Sequence, residues 1–439
     1  MEIEIEVISK EIIKPSSPTP ESLRKHQLSF LDQIAPPAFM PVLYFYQADA
    51  KFSNLKKSNN LKKSLSQVLS RFYPLAGRLV DDLYVDCNDE GAPYVEAVAN
   101  CTLSQIITNP VMKNMDKFLP YKVDEYVQNL CMAVQVTYFQ CGGTAVGLVI
   151  SHKIADGSSF VPVANTWAAV ARNGNYDDVP APKFEGAKIF PPQDATGFKP
   201  PSSTGIVKEA VITKIFTFPA SKISALQERY SSGAAEFLQR PPSRVEALSA
   251  FIWTRFVSAT EMKANPNKIY TVRHTVNLRP RLNPPLSDYH FGNIFWVAVA
   301  MPSVGANCGV EVMQKVKEAI RAVNGENVAQ LLQGGETLNF LKEKMAYANR
   351  GELVRFTFTS LHKFPLYKAD FGWGKPVWVV TLAGLLDKNL VVLVDTATGD
   401  GIEARINLSK EDMEKFEADL ELQEFLSKSK TFGIHNSRL

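Results

Sequence analysis

Leu61, Leu65 and Leu69, with Val68 and Phe72, recur at the spacing of one helix face, so a helix is predicted there until YPLAGR at 73–78 ends it with a proline and a glycine. The runs CMAVQVTYF and TAVGLVI are short and β-branched with the turn QCGG between them, the pattern of a hairpin. His152 falls where the second of these strands stops. Residues 158–171 resume a helical pattern, with Pro162 tolerable in the first turn. Ser243 and Glu246 have capping-box spacing, which predicts a long buried helix from about residue 244. Strand-like runs follow at KIYTVRHTVNL, NIFWVAVAM, ELVRFTF, PVWVVTL and LVVLVD, with helices expected near 309–323, 326–348 and 409–420. The start, MEIEIEVISKEII, alternates Glu with Ile and Val like an edge strand and lacks the basic-then-apolar pattern of a secretory leader. Strands and helices mix in both halves, so the fold class is α/β.

Between Tyr176 and Ile206 the pattern gives way to proline, glycine and polar residues, a crossover linker. Residues 1–178 are expected to form one domain, 179–206 the link and 207–439 a second. A chain of 439 residues, 45% hydrophobic, is long enough for two cores. Its 48 Lys and Arg nearly cancel its 45 Asp and Glu, with no basic stripe interleaved with aromatics, which argues against nucleic acid as a partner. Asp387 and Lys388 close the apolar run VWVVTLAGLL far short of the roughly 20 residues that cross a bilayer. Cys87, Cys101, Cys131, Cys141 and Cys308 are odd in number and form no CxxC, which fits a reducing, cytoplasmic compartment.

His152 and Asp156 stand four apart in GLVISHKIADGSSFV. A metal pair needs further ligands, and neither HExxH nor a second clustered histidine is present, so no metal is expected. A histidine satisfied at a strand end is the plain alternative, since six histidines produce such spacings by chance. The third reading is general-base catalysis, in which a neutral imidazole takes a proton from an alcohol or amine. There is no GxSxG elbow and no cysteine at a helix start to carry an acyl group, which leaves direct attack of the acceptor on an electrophile. Asp156 then either orients the imidazole or holds the loop, and spacing does not decide between them.

SHKIADG with DFGWGKP at 370–376, in that order, resembles the two signatures of the plant BAHD acyltransferases, HxxxD and DFGWG. KPSSPTP at 14–20, LSFLDQ at 28–33, FYPLAGRL at 72–79, DCND at 86–89, NLRPRLNPPL at 277–286 and GDGIEA at 399–404 extend the resemblance along the whole chain. Within the family the look is that of the branch acetylating alkaloid hydroxyls. The resemblance implies a two-domain CoA-dependent acyltransferase fold like that of chloramphenicol acetyltransferase, with mixed sheets, flanking helices and a solvent channel between domains. It implies His152 as general base, Asp156 turned away to pair with Arg279, and Asp370 holding the architecture while Gly372 and Gly374 permit turns. It also implies acetyl-CoA or another acyl-CoA as co-substrate, no permanently bound cofactor, and a monomer free of membrane and nucleic acid.

Ser243 and Arg244 start a helix whose N-terminus suits a phosphate or the pantetheine arm, although capping accounts for Ser243 equally well. Trp373 is a further CoA-contact candidate or a packing residue. SLHKFPLY departs from the SWCRFPFY of many relatives: Leu361, His362 and Lys363 replace Trp, Cys and Arg. Lys363 lacks the arginine fork, so a shikimate-type acid is disfavoured as acceptor. HFGN at 290–293 in place of YFGN argues against a flavonoid glucoside. The expected reaction is O-acetylation of a specialised metabolite such as an alkaloid. N-acylation, a sugar hydroxyl, a longer donor and a non-catalytic ligand-binding paralogue are the alternatives.

Overall fold

The computed structural model describes residues 3–427 except 109, 123–124, 196–197, 199–210, 234–239, 262–264, 266, 305–308, 329–338, 340–342, 344–351 and 383–387. Two six-stranded mixed sheets carry the fold. The first contains β1 (Ile5–Ile13), β3 (Phe39–Tyr46), β6 (Ala92–Ala99), β7 (Met132–Phe139), β8 (Thr144–Ser151) and β13 (Trp378–Thr381), in the order β1-β6-β7-β8-β3-β13. The second contains β9 (Val211–Pro219), β10 (Ile269–Asn277), β11 (Phe295–Ala300), β12 (Leu353–Ser360), β14 (Leu390–Asp395) and β15 (Gly401–Ser409), in the order β11-β10-β12-β14-β15-β9. A small sheet joins β2 (Lys25–Gln27), β4 (Arg78–Val80) and β5 (Tyr84–Asp86).

β7 and β8 form the expected hairpin, with Gly142 in the left-handed region at the turn, and β1 is the expected edge. Helices Asn54–Arg71 and Gly157–Asn173 cover one face of the first sheet. Leu61, Leu65, Phe160 and Trp167 pack there with Tyr44, Val136 and Leu148 in a single core, and the Trp167 indole is satisfied by Ser64 Oγ at 3.1 Å. Helices Ala220–Gly233, Arg244–Ala259 and Gly309–Ala322 cover the second sheet, where Leu248, Trp253 and Val316 meet Phe356, Leu393 and Ile406. The capping box of Ser243 and Glu246 is present as expected. The helix expected at 409–420 is two, Lys410–Glu417 and Leu420–Phe425, because Asp419 leaves the helical region to cap the second. Most of the helix expected at 326–348 lies outside the described residues.

β3, β6, β9 and β15 escaped the sequence reading. Pro41 disguises β3, since proline is expected only at strand edges. It sits one residue past the last pair with β13, Thr381 with Val42, where its carbonyl still accepts from the Leu382 N–H at 3.0 Å and only the reciprocal donor is missing, at the end of the pairing.

β13 comes from the C-terminal half yet completes the first sheet, antiparallel to β3. Arg405 of β15, 2% exposed, fastens it there. Its guanidinium donates to Val379 O at 2.6 Å and Thr381 O at 3.4 Å and meets Glu403 at 3.3 Å. DFGWG, assigned by sequence to the second half, accordingly packs against the first.

β8, which ends one residue before His152, runs beneath the segment Met112–Phe118. A Cβ on Gly147 would stand 2.2 Å from Phe118 O. Gly147→Ala is therefore expected to lower stability by about 1–3 kcal/mol through forced backbone movement, read as an earlier chemical-denaturation midpoint. Wild-type stability in that variant would show the contact to be soft.

Candidate active site

β8 ends at Ser151 and the helix Gly157–Asn173 begins six residues later, so SHKIAD is a short loop pinned at both ends. The His152 N–H donates to Ala38 O at 2.8 Å. Asp156 is the N-cap of the helix and accepts from Ser159 N at 2.8 Å. Its carboxylate is 5% exposed and points away from the imidazole, toward Arg279, which is fully buried. Arg279 donates to both carboxylate oxygens, at 2.8 and 3.1 Å, in the bidentate fork favoured by guanidinium and carboxylate. The Ile294 N–H adds a bond to Asp156 at 3.0 Å.

Arg279 spends its other hydrogens on His290 O, Gly292 O and Ser159 Oγ. Burial alone would raise the Asp156 pKa, but the Arg279 charge and these N–H donors outweigh it and hold the carboxyl below its ordinary value. The pair therefore binds the HxxxD loop of the first half to the NLRPR and HFGN segments of the second.

Asn293 and Asp32 complete the surroundings of the His152 imidazole, and the sequence reading gave neither a role. Asn293 Oδ1 faces His152 Nδ1 at 3.0 Å, while its Nδ2 faces two acceptors, His152 O at 2.7 Å and Asp32 Oδ1 at 2.8 Å. An amide nitrogen must point at those acceptors, so the amide oxygen accepts from Nδ1–H, and the lone pair of His152 is left on Nε2. Asp32, 2% exposed, also accepts from Asn293 N at 2.7 Å and from the Ser29 N–H and hydroxyl. The signal was an aspartate among apolar neighbours in LSFLDQ, with Ser29 three residues earlier in capping-box spacing. The Phe295 ring lies 5.8 Å from the imidazole. Burial pushes the His152 pKa below its ordinary value, against weaker raising effects from its own carbonyl and Asp156, so the imidazole is neutral at neutral pH.

Asp370, Gly372 and Gly374 stand elsewhere. Asp370 Oδ1 accepts from the Gly372 and Gly374 N–H groups at 2.8 and 3.0 Å, closing a turn in which both glycines have positive φ. The turn packs on the far end of the helix that starts at Gly157: Phe371 meets the Trp167 ring at 4.9 Å, and Arg172 lies 3.8 Å from Asp370. Fifteen helical residues separate Arg172 from Gly157, about 22 Å. Trp373, 6% exposed, is buried among Tyr46, Phe52 and Phe371.

Ser243 caps the helix Arg244–Ala259 at the edge where the parallel strands β10, β12 and β14 end. Around it stand Arg240 and Lys317, whose ammonium donates to Arg240 O at 2.5 Å. His362 pairs with Asp395 at 2.5 Å, and the Lys363 N–H bonds the same carboxylate at 2.8 Å. Burial would raise the Asp395 pKa; the His362 bond, the Lys363 N–H and the nearby Arg244 charge bring it down. Among the described residues no group of three or more His, Cys, Asp or Glu could hold a metal ion, and no helix is long and apolar enough to cross a membrane.

Two sheets joined at such a dyad define a CoA-dependent acyltransferase of the two-domain kind. Residues 3–423 match the Transferase family, and the chain belongs to that family, the plant BAHD acyltransferases. It is 35% identical to stemmadenine O-acetyltransferase of Catharanthus roseus over 95% of this chain and 97% of that one. It is 37% identical to epi-neemfruitin B synthase L1AT of Melia azedarach over the same shares. The crystal structure of vinorine synthase, 34% identical, superposes with a TM-score of 0.83 over 97% of this chain and all of that one. F. graminearum TRI101 complexed with coenzyme A and deoxynivalenol, 16% identical, shares the fold at a TM-score of 0.70 over 92% of this chain.

The geometry separates the two residues of HxxxD. His152→Ala is expected to melt like the wild type. Asp156→Ala strands a buried guanidinium and is expected to cost about 3–5 kcal/mol. Denaturation curves of the two variants side by side check this, and equal stabilities would contradict the structural role of Asp156.

Proposed function

We propose that the protein transfers an acetyl group from acetyl-CoA to a hydroxyl of a specialised metabolite, an alkaloid or limonoid alcohol, with His152 as general base. The observation that carries the reading is the Asn293 amide, which leaves Nε2 of a neutral, half-buried imidazole free to accept a proton. The acceptor hydroxyl gives its proton to Nε2 as its oxygen attacks the thioester carbonyl. The tetrahedral adduct then collapses, the C–S bond breaks, and the thiolate takes the proton back from the imidazolium. Asp156 and Arg279 do not touch the reacting atoms and hold the loop. The relatives named above support acetyl as the acyl group.

The helix N-terminus at Ser243 and Arg244, with Arg240 and Lys317 beside it, suits the phosphates of CoA, because N–H groups and cations converge there. Trp373, enclosed by other rings, is assigned to packing. Residues 1–178 and 207–439 are taken as the two domains, the second lending β13 to the first. Four described cysteines are free, which supports a cytoplasmic location, and a single chain supplies the base and its supports, which supports a monomer.

An acyl-CoA panel incubated with the protein and a plant metabolite extract, followed by mass spectrometry, is expected to yield compounds heavier by one acetyl group. Products carrying only longer acyl groups would displace acetyl-CoA as the donor. Intact protein mass after acetyl-CoA alone should be unchanged; a stable acetyl adduct chased off by acceptor would replace direct attack with a ping-pong scheme.

The lowered His152 pKa sets the sign of the pH dependence. kcat/KM should be flat at neutral pH and fall with unit slope as acid protonates Nε2 at a pH below about 6.5, the ordinary imidazole value. His152→Ala should cost about 10²–10⁴ in rate, and Asn293→Ala less, since it frees the tautomer without removing the base. Near-normal turnover of His152→Ala would remove histidine from the mechanism.

A further inference from the structure

Asn277 is the last residue of β10, and the strand decides which way it faces. Val276 before it packs with Ile294 and Ala298 in the core on one side of the sheet. Asn277 therefore lies on the opposite side, as does its partner across the β10–β11 ladder, Phe295. Phe295 is the ring beside His152. Side chains directly opposite in an antiparallel pair stand about 5 Å apart at Cβ, so the Asn277 amide is next to the ring that flanks the imidazole. A second path leads to the same place: Arg279 Nη1 donates both to Asn277 Oδ1, at 3.3 Å, and to Asp156 Oδ2 of the His152 loop, at 2.8 Å.

The Arg279 backbone N–H, at 3.1 Å, and its Nη1 both donate to one atom of this amide, so that atom is the oxygen. Nδ2 is turned away from Arg279 with both hydrogens, and no described residue accepts either. Asn277 is half-buried, and Nδ2 is not among the atoms sealed from solvent. The neighbouring donors are spent: Asn293 Nδ2 on His152 O and Asp32, Arg279 on Asp156, Ser159 and two carbonyls, and the Thr275 hydroxyl, two residues back on the same face, on Thr359 at 3.3 Å. Closing the turn to Arg279 does not call for an amide, because an aspartate accepts the same two bonds and sets a charge opposite the guanidinium. What asparagine supplies and aspartate lacks is the pair of N–H donors.

We propose that Asn277 Nδ2 donates a hydrogen bond to the thioester carbonyl oxygen, a bond that tightens as this oxygen becomes the oxyanion of the tetrahedral adduct. The assignment rests on the acyl-transfer reading. As the acceptor oxygen attacks, its proton goes to His152 Nε2 and the carbonyl π pair moves onto oxygen, where the amide N–H meets it. Collapse returns that pair to the C=O bond, the C–S bond breaks, and the thiolate leaves with the proton of the imidazolium. A donor aimed in advance stabilises the developing charge without reorganising. Arg279 does the aiming: the guanidinium that fastens Asp156 also holds Oδ1 and so turns Nδ2 outward.

Isotope-edited infrared spectra of acetyl-CoA labelled at its carbonyl carbon and bound to the full chain test this without turnover, while calorimetry records the binding itself. In wild type the bound carbonyl should stretch at lower wavenumber than in N277D, which keeps the Arg279 bonds and removes the donor. With an acceptor from the extract assay, kcat of N277D should fall about 10²–10³, the usual worth of one oxyanion donor, with KM for acetyl-CoA little changed. Reading kcat above the acid limb keeps a moved histidine pKa out of the comparison. Identical carbonyl bands in wild type and N277D would overturn the donor and leave the acyl-transfer reading standing. Acetyl-CoA failing to bind wild type would overturn that reading, and the donor with it. Should N277D not fold, N277A serves, because Arg279 keeps its other acceptors. The same upward move of the band is expected there, and a wild-type band would overturn the proposal equally.

Discussion

The bidentate pair of Asp156 and Arg279 is the constraint around which the rest is arranged. Both side chains are buried, so each is tolerable only with the other in place, and they come from different halves of the chain. The pair fixes the N-cap of the helix behind the His152 loop and, through Arg279, the carbonyls of His290 and Gly292. Those carbonyls bring Asn293 to the imidazole. The orientation of the His152 imidazole is thus a by-product of satisfying one buried charge pair, and an acidic residue four positions from a histidine need not be its partner.

His152 illustrates what burial does for an imidazole at neutral pH. An exposed imidazole is partly protonated near pH 6.5; in this loop desolvation favours the uncharged form, and the amide of Asn293 selects the tautomer. Asp32 acts at one further remove, orienting the amide by accepting from its nitrogen. Among the described residues no carboxylate bonds the ring directly, which under the proposed mechanism leaves the imidazolium to return its proton to the departing thiolate.

Much of this was legible in the sequence. The helix at Leu61–Phe72, the hairpin before His152, the capping box at Ser243 and the strands β10 to β14 follow from local periodicity and turn residues. HxxxD and DFGWG marked the family. What periodicity could not report is what closes at long range. Asn293 and Asp32 are 261 residues apart and read as ordinary polar residues until the fold buries them together. β9 and β15 pair across almost two hundred residues, and β3 hides behind a proline that stands at the end of its pairing with β13. The spacing of His152 and Asp156 suggested equally an orienting carboxylate or a structural one, and only the position of Arg279 distinguishes them.

The loan of β13 to the first sheet bears on how the chain is made. During synthesis β1, β6, β7, β8 and β3 are complete by residue 151, but the free edge of β3 stays uncovered until Trp378–Thr381 has emerged. For more than two hundred residues of elongation the nascent first half carries an apolar strand edge of the kind that templates wrong pairing. The Arg405 fastening arrives later still. The first half is therefore the part of this protein most exposed to aggregation at birth, and a fragment ending before residue 378 would display that edge permanently.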